Sequence, residues 1–118
     1  MKSPSETDGN EDPYELLYTT LCRVPRGKVV TYGQAAELVS GIRLTARMVG
    51  TAMRFAPAKV PWHRVVGYGG ALSIGRRSPE LLLRQYELLM NEGVAFRPGT
   101  AHVVDMSRSQ WRLEFDEE

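Results

Sequence analysis

The sequence predicts a small α+β domain carrying a helix-turn-helix. Thr31-Tyr32-Gly33-Gln34 has the spacing of a capping box and opens one helical pattern, and Thr45 opens another after a short connection containing Gly41. Val29–Val30 and Val65–Val66 are short β-branched pairs bounded by turn residues. A chain of 118 residues, 42% of them hydrophobic, suffices for one core without disulfide or metal staples.

Each element has its own signal. Residues 1–12, MKSPSETDGNED, are polar and acidic and are expected to form a disordered tail. Pro13 suits the first turn of a helix in which Tyr14, Leu17, Tyr18 and Leu21 make one apolar face. VPRGK (24–28) ends it with turn residues, and Val29–Val30 follows as a strand. The helix capped by Thr31 runs through Ala35, Ala36, Leu38 and Val39 and closes around Ser40-Gly41. The helix capped by Thr45 reaches about Phe55, with Val49, Ala52, Met53 and Ala56 at helical spacing and Arg47 and Arg54 on other faces. Gly50 inside it costs about 1 kcal/mol relative to Ala, which close approach by another backbone, of protein or of DNA, would explain.

Val65–Val66 reads as the second strand, followed by a Gly-rich basic loop, GYGGALSIGRRS (67–78). Ser78 caps and Pro79 starts the last helix, with Leu82, Tyr86 and Leu89 on one face and Gly93 just past its end. Trp111, Leu113 and Phe115 alternate with Arg112 and Glu114 at the period of a strand. The expected division is a tail (1–12), one domain (13–98) and an extension (99–118) forming a strand or hairpin packed on that domain.

Composition narrows the function. No run of 18 apolar residues spans a membrane, and the first fifteen residues contain no signal-peptide core. Cys22 is the single cysteine, which excludes an internal disulfide and suits a reducing compartment, the cytoplasm, with the nucleoid or nucleus as the site of action. Thiols and histidines are too few for a structural zinc site, and the glycines match neither a P-loop nor a dinucleotide fingerprint, so no metal or cofactor is expected.

The formal net charge of +1 conceals a segregation. Residues 1–15 hold one Lys against five acids, and residues 85–118 hold three Arg against seven acids, a balance of −4 in each. Residues 23–84 hold eleven Lys and Arg against Glu37 and Glu80, a balance of +9, and nine of the eleven are Arg. A basic centre between acidic ends is the footprint of a polyanion binder, for which Arg is the better phosphate fork. The plainer alternative is a solvated basic face that binds nothing.

Within that centre stands VPWHRVV (60–66). Trp62 and His63 offer a π-face and a polar ring in basic surroundings, a combination that suits stacking against a nucleobase. The competing reading of Trp62 is core filler. No Ser, Cys or Thr nucleophile accompanies His63 in sequence, and His102, in a turn-like segment, looks incidental.

PWHRVV resembles the active-site motif Pro-Cys-His-Arg-Val of O6-alkylguanine-DNA alkyltransferases, with Trp62 where the cysteine stands. VPRGKVVTYGQAAEL (24–38), ARMVGTAMRFAP (46–57), GGAL (69–72) and LLMNEGV (88–94) follow the same family in the same order, over roughly residues 13–95. The chain is similar to the alkyltransferase-like proteins, which lack the acceptor cysteine. The resemblance implies a winged-helix-like domain without the transferases' N-terminal domain.

The resemblance also implies a function: recognition of O6-alkylguanine in duplex DNA by nucleotide flipping, without alkyl transfer, by a monomer that marks the lesion for nucleotide excision repair proteins. Indole offers no nucleophile comparable to a thiolate. Cys22, on the first helix and without an activating cation, reads as a small buried hydrophobe. Arg47 corresponds to the finger that fills the gap left by the flipped base, and Tyr32 to the tyrosine that crowds the 3′ phosphate. The expected DNA contacts are Arg47, Tyr32, Thr31, Ala46, Gly50, Thr51 and Arg54. The expected lesion pocket comprises Trp62, Tyr32, Pro61, Val65 and Arg76, with Arg77 as the alternative loop arginine. His63, Arg64 and Glu92 form an architectural hydrogen-bond network. Ala56 replaces an Asn of the transferases, and SIGRRS (73–78) departs from their Tyr-Ser-Gly-Gly. The alternatives are a sequence-specific winged-helix regulator and a cofactor-free enzyme acting through His63.

Overall fold

Helix α1 (Pro13–Leu21) begins where the Asp12 carboxylate accepts the Tyr14 N–H at 2.9 Å and Pro13 fills the first turn. The computed structural model describes residues 12–39, 43–72, 78–99 and 102–112. Leu17 and Leu21 are fully buried on the inner face of α1, and the Tyr18 hydroxyl donates to the Ala52 carbonyl at 2.9 Å. Burial, reinforced by Tyr14 and nearby acids, raises the pKa of Tyr18, so it remains a donor.

Strand β1 (Val30–Thr31) runs directly into α2 (Tyr32–Leu38). Thr31 Oγ1 accepts the Gln34 N–H at 2.9 Å while the Thr31 N–H donates to Gln34 Oε1 at 3.3 Å, completing the capping box. Helix α3 (Ala46–Arg54) is capped by Thr45, whose Oγ1 accepts the Met48 N–H at 3.1 Å. Ala35 and Ala36 of α2 and Val49, Ala52 and Met53 of α3 share one core, the packed pair of a helix-turn-helix. Helix α2 ends at Leu38, with Val39 already extended at its C-cap, one residue short of the expected run through Val39; Ser40-Gly41 lie outside the described residues. Phe55 caps α3 instead of continuing it and is exposed, with the Arg54 guanidinium 5.2 Å from its ring centroid.

A 3-10 turn (Trp62–Arg64) leads into β2 (Val65–Val66), which pairs in parallel with β1, Val30 against Val65 and Thr31 against Val66. The predicted first strand is therefore displaced by one residue: Thr31 belongs to it, and Val29 makes an isolated bridge with Gln110. The alternation of a strand explains the layers. Val30 and Val65 face a core with α1, α2 and α3, whereas Val29 and Val66 face a second core with Leu72, Leu89, Val94 and Val104.

Helix α4 (Pro79–Asn91) starts with the Ser78 hydroxyl accepting the Leu81 N–H and buries Leu89 in the second core. Ala71 bridges Val103, and Phe96 bridges Val104, both antiparallel. A one-turn helix, α5 (Met106–Ser109), follows after what the sequence presents as the last helix; four residues are too few to carry a periodic signal. The Trp111 N–H donates to the Val29 carbonyl at 2.8 Å, while Leu113 and Phe115 lie outside the described residues. No described helix is long and apolar enough to cross a membrane.

At Gly70, close approach dictates the residue. Its φ is +99°, and a Cβ there would lie 2.4 Å from the Val104 carbonyl oxygen.

Candidate nucleic-acid interface

The helix-turn-helix presents one group of site residues. Thr31 caps α2 and Tyr32 begins it, while Ala46, Arg47 and Thr51 are exposed on α3 and Gly50 and Arg54 are half-exposed. Arg47, Gly50, Thr51 and Arg54 follow at i, i+3, i+4 and i+7 and so share a side of the helix. A Cβ on Gly50 would meet nothing within 4 Å. Close packing against the described residues therefore does not account for that glycine.

The second group surrounds Trp62. Pro61 precedes the 3-10 turn, and Trp62, His63 and Arg64 form it. Glu92, at the C-terminal end of α4, organises the turn with a carboxylate only 5% exposed. Its Oε2 accepts from His63 Nε2 and Arg64 Nη2, each at 2.7 Å, and its Oε1 accepts the Gly27 N–H at 2.9 Å. Arg64 Nε lies 3.1 Å from both oxygens, and Nη1 donates to the Val24 carbonyl at 2.8 Å.

These contacts fix the protonation states. Burial alone raises the Glu92 pKa, but the donors Arg64, Gly27 and His63 outweigh it and hold the carboxyl at about 2. Burial of His63 lowers its pKa more than the Glu92 contact raises it. The imidazole is therefore neutral at pH 7, with its proton on Nε2, where it donates to Glu92.

Trp62 is half-buried. It packs against the first core, stands nearly perpendicular to the His63 ring at 6.2 Å, and lines a cavity of about 420 Å³. Core filler and pocket wall are thus both partly true of this indole. Pro61, His63, Arg64, Lys59, Arg84, Leu88 and Cys22 line the same cavity, but Tyr32 and Val65 do not. Val65 is 1% exposed because its pairing with Val30 turns it into the core, so it backs the turn without facing the cavity. Arg76 and Arg77 lie outside the described residues.

Cys22 corrects an expectation: it is exposed. It is the residue after Leu21, at the C-cap of α1, and so falls off the apolar face. His102 packs near-perpendicular to the Tyr86 ring at 5.4 Å, and its carbonyl accepts the Leu72 N–H. No group of three or more His, Cys, Asp or Glu among the described residues could hold a metal ion.

Sequence reasoning missed Gln85. It is 1% exposed, and its Nε2 donates to the His63 carbonyl at 3.1 Å and the Val65 carbonyl at 3.0 Å, tying the turn to β2. The available signal was a polar residue three positions after Leu82 and four before Leu89, on the face that α4 buries. Gly27 was missed as well, since a backbone donor leaves no mark on side-chain chemistry.

The family model described as 6-O-methylguanine DNA methyltransferase, DNA binding domain, matches residues 12–94. Alkyltransferase-like protein 1 of Schizosaccharomyces pombe is 41% identical over 83 residues, 69% of this chain and 75% of the relative. The DNA base-flipping protein of Escherichia coli K12 is 35% identical over 104 residues, 86% of this chain and 76% of the relative. The solved structure of S. pombe Atl1 in complex with damaged DNA containing O6-carboxymethylguanine matches with a TM-score of 0.71 and 34% identity, covering 85% of this chain and 94% of that one. The α+β fold is winged-helix-like, as in these relatives.

Proposed function

The chain belongs to the 6-O-methylguanine DNA methyltransferase family, DNA binding domain, and from that premise we propose that it is a non-enzymatic sensor of O6-alkylguanine in duplex DNA. Flipping a nucleotide costs a few kcal/mol of stacking and pairing, less when the pair is already damaged. Phosphate contacts from the basic centre supply affinity, and Arg47 fills the vacated stack. Tyr32, at the start of α2, crowds the 3′ phosphate, and the flipped base enters beside Pro61 and Trp62, with Arg76 or Arg77 from the following loop. Thr31, Ala46, Gly50, Thr51 and Arg54 give the helix-turn-helix its close fit to the backbone.

The observation that carries this reading is Trp62 in a partly open cavity, in the motif where the resembling transferases hold their acceptor thiol. The network tying Glu92 to His63, Arg64 and the Gly27 N–H supports an architectural role: it holds the turn, and the indole of Trp62 offers it no thiol to activate. Bound without repairing, the monomer marks the lesion for nucleotide excision repair proteins and blocks transferases from it. The relatives named for base flipping and the one solved with damaged DNA support the DNA partner.

Competition among undamaged, O6-alkylguanine and random-sequence duplexes tests the proposal. The lesion duplex is expected to bind tightest, and equal affinity for modified and unmodified duplexes at moderate salt would remove the sensor. Preference for one undamaged sequence would indicate a regulator instead.

A further inference from the structure

The cavity beside Trp62 is cationic. Lys59, Arg64 and Arg84 line it, and among the described residues no Asp or Glu side chain does. Glu92 and the Val24 carbonyl hold the Arg64 guanidinium. Lys59 and Arg84 are exposed, and their charged side-chain groups form no hydrogen bond or ion pair among the described residues, while the Lys59 carbonyl accepts from Cys22 Sγ at 3.9 Å. His63, neutral at pH 7, adds no charge. A group entering against the indole therefore meets an apolar wall from Pro61, Trp62 and Leu88 and two uncommitted cations.

The space matters as much as the charge. About 420 Å³ is far more than a methyl substituent requires, so short functionalised tails fit. Methylene carbons suit the indole face, and a terminal carboxylate suits Lys59 and Arg84, because charge-assisted hydrogen bonds are about twice as strong as neutral ones. From this juxtaposition we infer that the pocket selects by adduct charge, preferring O6 substituents that end in a carboxylate over neutral substituents of the same size. The inference rests on the lesion-sensor reading and assigns that same site a substrate class.

The test uses the full chain and duplexes identical except at one nucleotide: guanine, O6-methylguanine, O6-carboxymethylguanine, or its neutral isostere O6-carbamoylmethylguanine. The carboxymethyl duplex is expected to bind about ten-fold tighter than the carbamoylmethyl duplex. In the Lys59→Gln, Arg84→Gln double variant that ratio is expected to fall to about two-fold or less. Removing charge weakens every duplex through general phosphate attraction, so the ratio between isosteres is the readout. The single variants serve as the second measurement, each lowering the ratio in part. Equal binding of the isosteres, with O6-methylguanine still preferred over guanine, overturns the inference alone. A ratio that survives in the double variant also overturns it, since the cations then serve backbone phosphates. No preference for any adduct over guanine overturns the sensor reading itself.

Discussion

Arg64 grips both carboxylate oxygens of Glu92, with Nη2 2.7 Å from Oε2 and Nε 3.1 Å from each oxygen. A carboxyl held at about 2, against an ordinary 4.5, contributes about 3 kcal/mol of stability that is complete above the ordinary value and lost as pH falls through the folded one. The lowered pKa of His63 acts in the same direction, its share being lost as pH falls below the ordinary value of 6.5. Denaturant unfolding should therefore show stability declining from near neutrality and steepening below pH 4.5. Glu92→Gln should cost roughly 3 kcal/mol at neutral pH and flatten the steep acid limb. Parallel pH profiles for parent and variant would show that another group titrates.

Trp62→Ala separates packing from recognition. A fully buried aromatic would cost roughly 3–5 kcal/mol, but half-burial beside a cavity predicts about 1–2 kcal/mol. The larger change is expected in lesion discrimination, by about 1–3 kcal/mol, with little effect on undamaged DNA. A collapsed thermal midpoint together with intact lesion preference would make Trp62 a core residue only.

Gly50→Ala and Gly70→Ala should have opposite effects on stability. Open space around Gly50 predicts a gain of about 1 kcal/mol from helix propensity, coupled to weaker DNA binding. Gly70, with positive φ and the Val104 carbonyl in the way, predicts a loss of at least roughly 2 kcal/mol. Unchanged DNA affinity in a stabilised Gly50→Ala protein would remove Gly50 from the interface.

Arg47→Ala should weaken lesion binding more than Lys28→Ala, although each deletes one charge. Arg47 is exposed on α3, whereas Lys28 Nζ is 3.4 Å from the Arg108 carbonyl. Equal losses with equal changes in salt slope would reduce Arg47 to an ordinary phosphate contact.

Incubation with O6-methylguanine DNA should leave the intact mass of the protein unchanged. Cys22 makes the control necessary, because its thiol lines the same cavity as Trp62. A gain of one alkyl group, absent in Cys22→Ala, would show that the chain transfers after all.

What the sequence disclosed was governed by the range of each interaction. The caps at Thr31, Thr45 and Ser78 are satisfied within three residues, so their spacing alone locates α2, α3 and α4. The ends of β1 were misplaced by one residue because partners in a parallel pair lie far apart in the chain. His63 and Glu92 are 29 residues apart, and only the family resemblance joined them. Gln85 and the Gly27 N–H reach backbone or a distant carboxylate, so neither leaves a local pattern. Lys59 and Arg84 were visible only as charge; their shared cavity is a product of the fold.

The cap of α2 extends across almost the whole chain. Gln34 Nε2 donates to the Trp111 carbonyl 77 residues away, and Gln110 Nε2 donates to Gln34 Oε1. During synthesis α2 and α3 leave the ribosome long before either partner, so the start of the helix pair lacks its brace until residues 110–111 emerge. Such non-local closure must follow loop formation and slows folding relative to a purely local helix pair. A nascent chain arrested before residue 110 therefore holds the helix pair without the two hydrogen bonds that tie the start of α2 to residues 110 and 111.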